Sequence, residues 1–485
     1  MTKIKTFLLS NSNFRICYII DLFLCNLAYV QIPAYVLLVF MFIWGVVLSC
    51  IKQKQNNTFS KMRFGIWIGA FLVCNLITML INFSVMILTS FVMLLHMLIC
   101  FMLFYGMHTE ENVNIKEEFY KICKAVIYLT TILGIIGITC LLCGVSYDSK
   151  EFTWIKFIIY ENRFTGVYVN PNILGFISVV SLVCCHMVMK EDFYVEAKQN
   201  RVSRIWVFTC LGIDVFSLVL CDSNASLVLV IGYVIAYAVY KLFSAEKHLS
   251  AKQIIVKTLA LCIVGLFVVS SSLLFRTICQ RGFASVINSN LTSMVFISES
   301  DVKTSNEVSE SGEEIVTFTH KNKNLDSGRF KLARESVNLF KISPFIGISN
   351  GNIVLYSDEF SDGVLSFSYH YSDLHNGYLT LLVSTGLLGF VIFATFGFRF
   401  AKHIAQHLFK SKVSLQQDIY PCLFSFLCAY LVYAMFEKAL LYDISFMVLW
   451  FWLLMGVVST YLNKYEPVYD SQYIIYKKRL RRNIF

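Results

Sequence analysis

The sequence predicts an all-α, polytopic integral membrane protein with about 12 transmembrane helices and one large extracytoplasmic loop. Three observations support this. Hydrophobic residues make up 57% of the chain and charged residues only 15%, against about 25% charged in ordinary globular proteins. Mean hydropathy is +0.65. Apolar runs of roughly 20 residues recur along the whole length, the span needed to cross about 30 Å of hydrocarbon.

Twelve spans fit as six hairpins: 14–31, 33–51, 64–82, 84–106, 122–143, 169–189, 205–221, 225–243, 255–275, 373–398, 419–436 and 444–463. The first two hairpins turn tightly, at Gln31-Ile32-Pro33 and Asn82-Phe83-Ser84. Residues 1–275 thus carry helices one to nine with short loops. Residues 276–372 form the large loop, with a mobile part at 298–326 and a short surface helix at about 328–341. Helices ten to twelve occupy 373–463, and 464–485 is a basic tail. The apolar run from Ile16 has no small-residue cleavage site, so no cleavable signal peptide is expected.

Basic residues sort by side. With both termini in the cytoplasm, the inner segments hold Lys52, Lys54, Lys61 and Arg63, then Lys190, Lys198, Arg201 and Arg204, then Arg399, Lys402, Lys410 and Lys412, and the tail. The short outer loops hold only Lys150, Lys156, Arg163 and Lys438, and within the spans Lys or Arg is expected only at cytoplasmic ends, as at Arg15, Lys124, Lys241 and Lys257. This is the positive-inside pattern. The net charge of +10 therefore reads as membrane orientation, and no nucleic-acid partner is expected. The sixteen cysteines lie mostly inside apolar runs without metal-ligand spacing, as small buried hydrophobes do. No metal site and no cofactor are expected.

Two outer segments can carry chemistry. In the first, Gly144 to Val169, Arg163 precedes Asn170-Pro171, which reads as the N-cap and first residue of the sixth span. A guanidinium beside a helix N-terminus suits a phosphate; the plainer reading is contact with lipid headgroups. In the second segment, Phe330, Ala333, Val337 and Phe340 recur at helical spacing with Arg329, Arg334 and Lys341 along the edges. That pattern predicts a helix lying apolar face down on the membrane. Arg329 and Arg334 are candidates for neutralising a pyrophosphate without a metal, against the same headgroup alternative.

His375 opens the tenth span behind a cap at Ser372 or Asp373. A positive helix end disfavours imidazolium, so a neutral ring able to take a proton from an attacking hydroxyl is expected. A simple capping role is the bland alternative, and His370 or Asp373 could serve in its place. Asp21, Asp214 and Asp222 lie in or near spans and keep a transporter or flippase of lipid-linked glycan open. A metal-dependent lipid-linked glycosyltransferase would place acidic residues in an early outer loop, and the first two outer turns contain none.

Taken together, these positions resemble the O-antigen ligase/polymerase superfamily of bacterial membrane proteins. The matching pieces are Arg163-Phe164-Thr165-Gly166 leading to Asn170-Pro171-Asn172; Ser327-Gly328-Arg329 with Pro344 and Gly347; and His375-Asn376 with Tyr378, Leu379, Gly386, Leu387 and Gly389. One departure is the turn after the seventh span. Family members often carry a Ser-Arg-Gly-like turn there, and this chain has Ser223-Asn224-Ala225.

The resemblance implies glycan transfer on the outer face of a bacterial inner or plasma membrane, from a polyprenyl-pyrophosphate-linked oligosaccharide. His375 would be catalytic, Arg163, Arg329 and Arg334 would bind pyrophosphate, and Asn172, Gly328, Asn376 and Tyr378 would support them. Polymerisation of repeat units for a capsule, exopolysaccharide or O-antigen is the first expectation, and ligation of finished polymer the alternative. Membrane lipids, a flippase and a chain-length regulator of the same pathway are the implied partners.

Overall fold

A computed structural model describes residues 2–110, 113–143, 145–148, 156–244, 251–290, 296–297, 317–319, 328–361, 363–365, 373–410 and 418–465. The stretch 298–326, apart from 317–319, lies outside the described residues, as do His370, Ser372 and the tail beyond 465.

The chain is a helical membrane protein. Its main helices are α1 (Asn11–Leu24), α2 (Gln31–Asn56), α3 (Gly65–Ile81), α4 (Ile87–Thr109), α5 (Ile115–Leu142), α6 (Pro171–Val188), α7 (Arg204–Leu220), α8 (Asn224–Ser244), α9 (Ala251–Asn290), α10 (Arg329–Ile342), α11 (Ile353–Phe360), α12 (Gly377–Lys410), α13 (Tyr420–Tyr433) and α14 (Phe446–Tyr465). Among the described residues eight are long and apolar enough to cross a bilayer: α2, α4, α5, α6, α8, α9, α12 and α14. The other four expected spans are helices of only 14 or 17 residues: α1, α3, α7 and α13. α1 stops early because the chain after it leaves the helix to pair with the loop before α6. Ala28 N donates to Val167 O and Val169 N to Asn26 O, both at 3.0 Å.

α14 and α6 form the enclosed centre, with 83% and 78% of their most apolar windows buried, whereas for α9 that share is 0%. α14 buries Trp450 and Trp452, and Trp452 Nε1 donates to Leu440 O at 3.0 Å. The basic residues expected at cytoplasmic ends are not all solvated. Arg15 of α1 and Lys52 of α2 are buried on their helices and meet Glu110 at 2.8 and 2.6 Å, and Arg15 also meets Glu118 at 2.6 Å. Paired carboxylates make that burial tolerable. α9 also runs through to Asn290, so Arg276 and Arg281 lie on the helix rather than in the loop.

α12 breaks at Gly386, whose φ of 60° and ψ of −167° no side-chain-bearing residue adopts readily. Residues 344–349 lie against the break. Ile348 N donates to Val383 O, Ser349 N to Ser384 O, Leu387 N to Pro344 O and Leu388 N to Phe345 O. From α3, Thr78 Oγ1 donates to Ile346 O and Asn82 Nδ2 to Gly347 O. Backbone groups that a broken helix would strand in hydrocarbon are thus paired within the protein.

This re-entrant segment anchors α10, and the packing decides which face α10 buries. Leu332, Glu335, Ser336 and Leu339 point inward, while Phe330 and Val337 of the expected stripe are 79% and 50% exposed. The periodicity supported two faces. The inner one won because Glu335 accepts from Ser357 Oγ (2.6 Å) and Ser361 Oγ (2.8 Å) around α11.

The fold also contains a small sheet that the all-helical reading did not foresee. Strands β1 (Ser146–Asp148), β2 (Lys156–Tyr160), β3 (Arg163–Gly166) and β4 (Phe296–Ile297) are ordered β3-β2-β1-β4. β2 and β3 form a hairpin across Glu161-Asn162, both at positive φ (50° and 60°), the backbone of a type I′ turn.

Candidate functional site

Three separate stretches of chain meet at one end of the bundle. The hairpin turn fixes Arg163 as the first residue of β3, paired with Tyr160. Arg163 is only 6% exposed. Its Nη1 donates to Asn172 Oδ1 at 3.3 Å, Nη2 lies 3.8 Å from Glu161, and Nε has no hydrogen-bond partner. Asn172 is held in the first turn of α6, where Asn170 Oδ1 accepts from Asn172 N (2.7 Å) and Pro171 follows the cap.

The second stretch is the start of α10. Gly328 caps the helix at φ 77°, a left-handed backbone that glycine adopts without strain. Arg329 then reaches the loop after α13. Its Nη2 donates to Phe436 O at 3.5 Å and lies 3.8 Å from Glu437 Oε1, and its guanidinium covers the Phe436 ring at 5.4 Å.

The third stretch heads α12. Asn376 Oδ1 accepts from Tyr378 N and Leu379 N, both 3.0 Å, and is the working cap in place of Ser372 or Asp373. Asn376 Nδ2 donates to Met435 O (2.8 Å) and Tyr378 OH to Leu431 O (2.8 Å). These bonds clamp α12 to the end of α13 and to the loop after it that carries Glu437. His375 sits just outside the helix at φ 43°, its amide donating to Asp373 Oδ1 (2.6 Å).

Glu437 joins the cluster. Its Oε2 lies 3.4 Å from His375 Nδ1 and its Oε1 faces Arg329, while Arg163 lies within its electrostatic reach. Asp373 adds a second carboxylate 3.6 Å from His375 Nδ1 and is itself paired with Lys438 at 3.5 Å. These carboxylates act against the downward bias expected from the helix N-terminus. Burial pulls the His375 pKa down, but Glu437 and Asp373 together outweigh burial and the nearby Arg329, so the net shift is upward. A carboxylate at Nδ1 orients the ring and strengthens Nε2 as a base. Burial would raise the Asp373 pKa, yet Lys438 and His375 hold it below the usual carboxylate value. For Arg163, burial is the main influence and lowers the pKa despite Glu161 and Glu437.

Arg334 is not part of this cluster. Five positions after Arg329, at about 100° per residue, it projects some 140° around the helix and is exposed. Asp214 accepts from Cys210 Sγ at 3.4 Å, and Asp21 is buried within α1. Neither is seen to pair with His375, Arg163 or Arg329. Sequence reasoning missed Glu437; its one signal was an acid beside Lys438 in a short loop between two apolar helices. Beneath Tyr378 an apolar cavity of about 340 Å³ runs between α12, α13 and α14, lined by Leu381, Phe393, Phe424, Leu431 and Leu440. Among the described residues no group of three or more His, Cys, Asp or Glu is placed to hold a metal ion.

Residues 209–394 match the family model described as O-antigen ligase. That stretch, less than half of the chain, is similar to the O-antigen ligase family. The family resemblance read from the motif order is thereby borne out. The ligase-family stretch takes in Arg329, His375, Asn376 and Tyr378 and ends before Glu437; Arg163 lies ahead of it. The similarity of that stretch supports, in general terms, glycan transfer that uses lipid-linked glycan. No curated protein matches the chain.

Proposed function

We propose that the protein joins lipid-linked oligosaccharide repeat units on the outer face of a bacterial inner membrane, with both termini in the cytoplasm. The donor is a glycan on polyprenyl pyrophosphate and the acceptor a hydroxyl of a second lipid-linked repeat. One observation carries the reading: Arg329 and His375, far apart in sequence, meet at Glu437, with Arg163 within electrostatic range of the same carboxylate.

This arrangement supports the following reaction. The acceptor oxygen forms a bond to the anomeric carbon as its proton passes to His375 Nε2. The bond from that carbon to the phosphate oxygen breaks, and polyprenyl pyrophosphate leaves with the electron pair. The leaving group is already good, so catalysis consists mainly of positioning and charge neutralisation. Arg163 and Arg329 supply the neutralisation with no metal in the scheme. Glu437 and Asp373 orient His375, and Gly328, Asn172, Asn376 and Tyr378 hold the cationic and basic groups in place. Arg334, on the exposed face of α10, is suited to the carrier-lipid headgroup region. The apolar cavity under Tyr378 offers room for part of a lipid chain.

Ligation of finished polymer to a lipid acceptor is the second reading, favoured by the description of the matching family. Polymer length separates the two. Loss of a polymerase leaves single repeats, and loss of a ligase leaves long polymer stranded on its carrier. His375→Ala in the producing cell, with insertion checked by immunoblot, is expected to leave single repeats. Wild-type chain length in that variant would remove His375 from the mechanism.

A further inference from the structure

α9 is a lipid-facing helix with a polar foothold. Among its described residues only Arg276, Gln280 and Ile287 are buried, while Leu266 and Phe267 are 70% and 72% exposed. Packing an apolar helix requires no arginine, and a buried guanidinium needs anionic company. Arg276 meets the turn between α7 and α8. Its Nη1 donates to Asn224 Oδ1 at 3.1 Å and its Nη2 pairs with Asp222. One turn on, Gln280 Nε2 donates to Asp222 Oδ1 (2.9 Å) and Val219 O (3.0 Å). Ser226 N donates to Ser223 Oγ at 3.3 Å, so the first amides of α8 lie at the same corner.

A second guanidinium shares this corner. Arg163 is 94% buried, its Nε has no hydrogen-bond partner, and its nearest acceptors are long contacts at 3.3 and 3.8 Å. Arg276 and Arg163 lie within electrostatic range and repel one another, while Asp222 is engaged by Arg276 and Gln280. A bound phosphate would relieve that repulsion. The sequence lacks an arginine at Ser223-Asn224-Ala225. Arg276 brings a guanidinium to that turn from a different helix.

We propose that Arg276 is a further pyrophosphate-binding residue, holding with Arg163 the phosphate next to the polyprenyl chain. The inference rests on the transferase reading above. The order follows from the contacts. His375 shares Glu437 with Arg329, Arg163 is within electrostatic range of Glu437, and Arg276 is within electrostatic range of Arg163. The sugar-linked phosphate and the acceptor therefore fall to Arg329 and His375.

The test uses full-length protein in nanodiscs and measures affinity for polyprenyl pyrophosphate and polyprenyl monophosphate. Arg276→Gln is expected to weaken pyrophosphate binding about ten- to hundred-fold, the range for losing a hydrogen bond to a charged group. Arg281→Gln, at an exposed position on the same helix, is expected to bind as wild type. The double variant Asp222→Asn/Arg276→Gln is expected to stay weak. Recovery in the double variant would mark Arg276 as a structural ion-pair partner and overturn the proposal. Wild-type affinity in Arg276→Gln would overturn it too, leaving the transferase reading intact. Wild-type protein that does not prefer pyrophosphate over monophosphate would overturn both.

Discussion

Gly386→Ala tests whether the re-entrant segment holds Arg329 in place. A Cβ built on Gly386 would fall 2.4 Å from Phe345 C, 2.5 Å from Phe345 O and 2.6 Å from Gly347 N. All three are backbone atoms, so no rotamer change relieves the overlap. The residue would also keep φ at 60° and ψ at −167°, a region that costs an L-residue about 1–3 kcal/mol. Overpacking adds about 1–3 kcal/mol, for a total of about 2–6 kcal/mol. The segment is expected to yield, releasing the bonds at 344–349 that fix the end of α10. The assay is thermal unfolding of detergent-solubilised protein alongside polymer formation. Both should drop, whereas Gly397→Ala on the same helix, with nothing within 4 Å of its Cβ, should stay at or above wild-type stability. A Gly386→Ala protein as stable and active as wild type would refute the anchoring argument.

Three further predictions address the charges. Because Glu437 and Asp373 raise the His375 pKa above its ordinary 6.5, the transfer rate should climb as pH rises through that elevated value and the ring loses its proton. Glu437→Gln should move this limb to lower pH, and a pH–rate profile with an unmoved limb would exclude the pairing. The same pair stabilises the fold fully below the unfolded value and ceases to do so as pH rises through the folded one. Arg163→Lys should reduce transfer by an order of magnitude or more because an ammonium lacks the planar fork, while Arg334→Gln should have little effect; comparable chain lengths from both variants would favour headgroup contact for Arg163. Arg15→Met should destabilise the protein by about 3–5 kcal/mol, since Glu118 would then be buried without its cation. Thermal unfolding measures this, and an unchanged midpoint would contradict it.

The membrane class was legible because crossing hydrocarbon imposes length and apolarity on each run independently of the other runs. The count was less so. α1 and α13 end early where the chain turns to pair with distant residues, and local hydropathy contains no trace of those partners. The cap at Asn170-Pro171 was readable because its bonds are local. The buried face of α10 was not, since Leu332 and Leu339 are chosen by α11 and the re-entrant segment. For the site, motif order pointed to Arg163, Arg329 and His375, but Glu437 sits in a different loop and acts only through space. Arg276 was passed over because its helix was expected to end at the preceding residue.

The backbone bonds between Asn26–Ala28 and Val167–Val169 bear on how the chain is assembled. At about 1.5 Å per residue, the 14 residues of α1 span only some 21 Å, short of the hydrocarbon thickness. The segment beyond α1 finds its hydrogen-bond partners in the loop just before α6. These pairings of the first helix's exit join residues about 140 positions apart, so they cannot form until the loop before α6 has been made. The same pairings tie the end of α1 to the arm that carries Arg163.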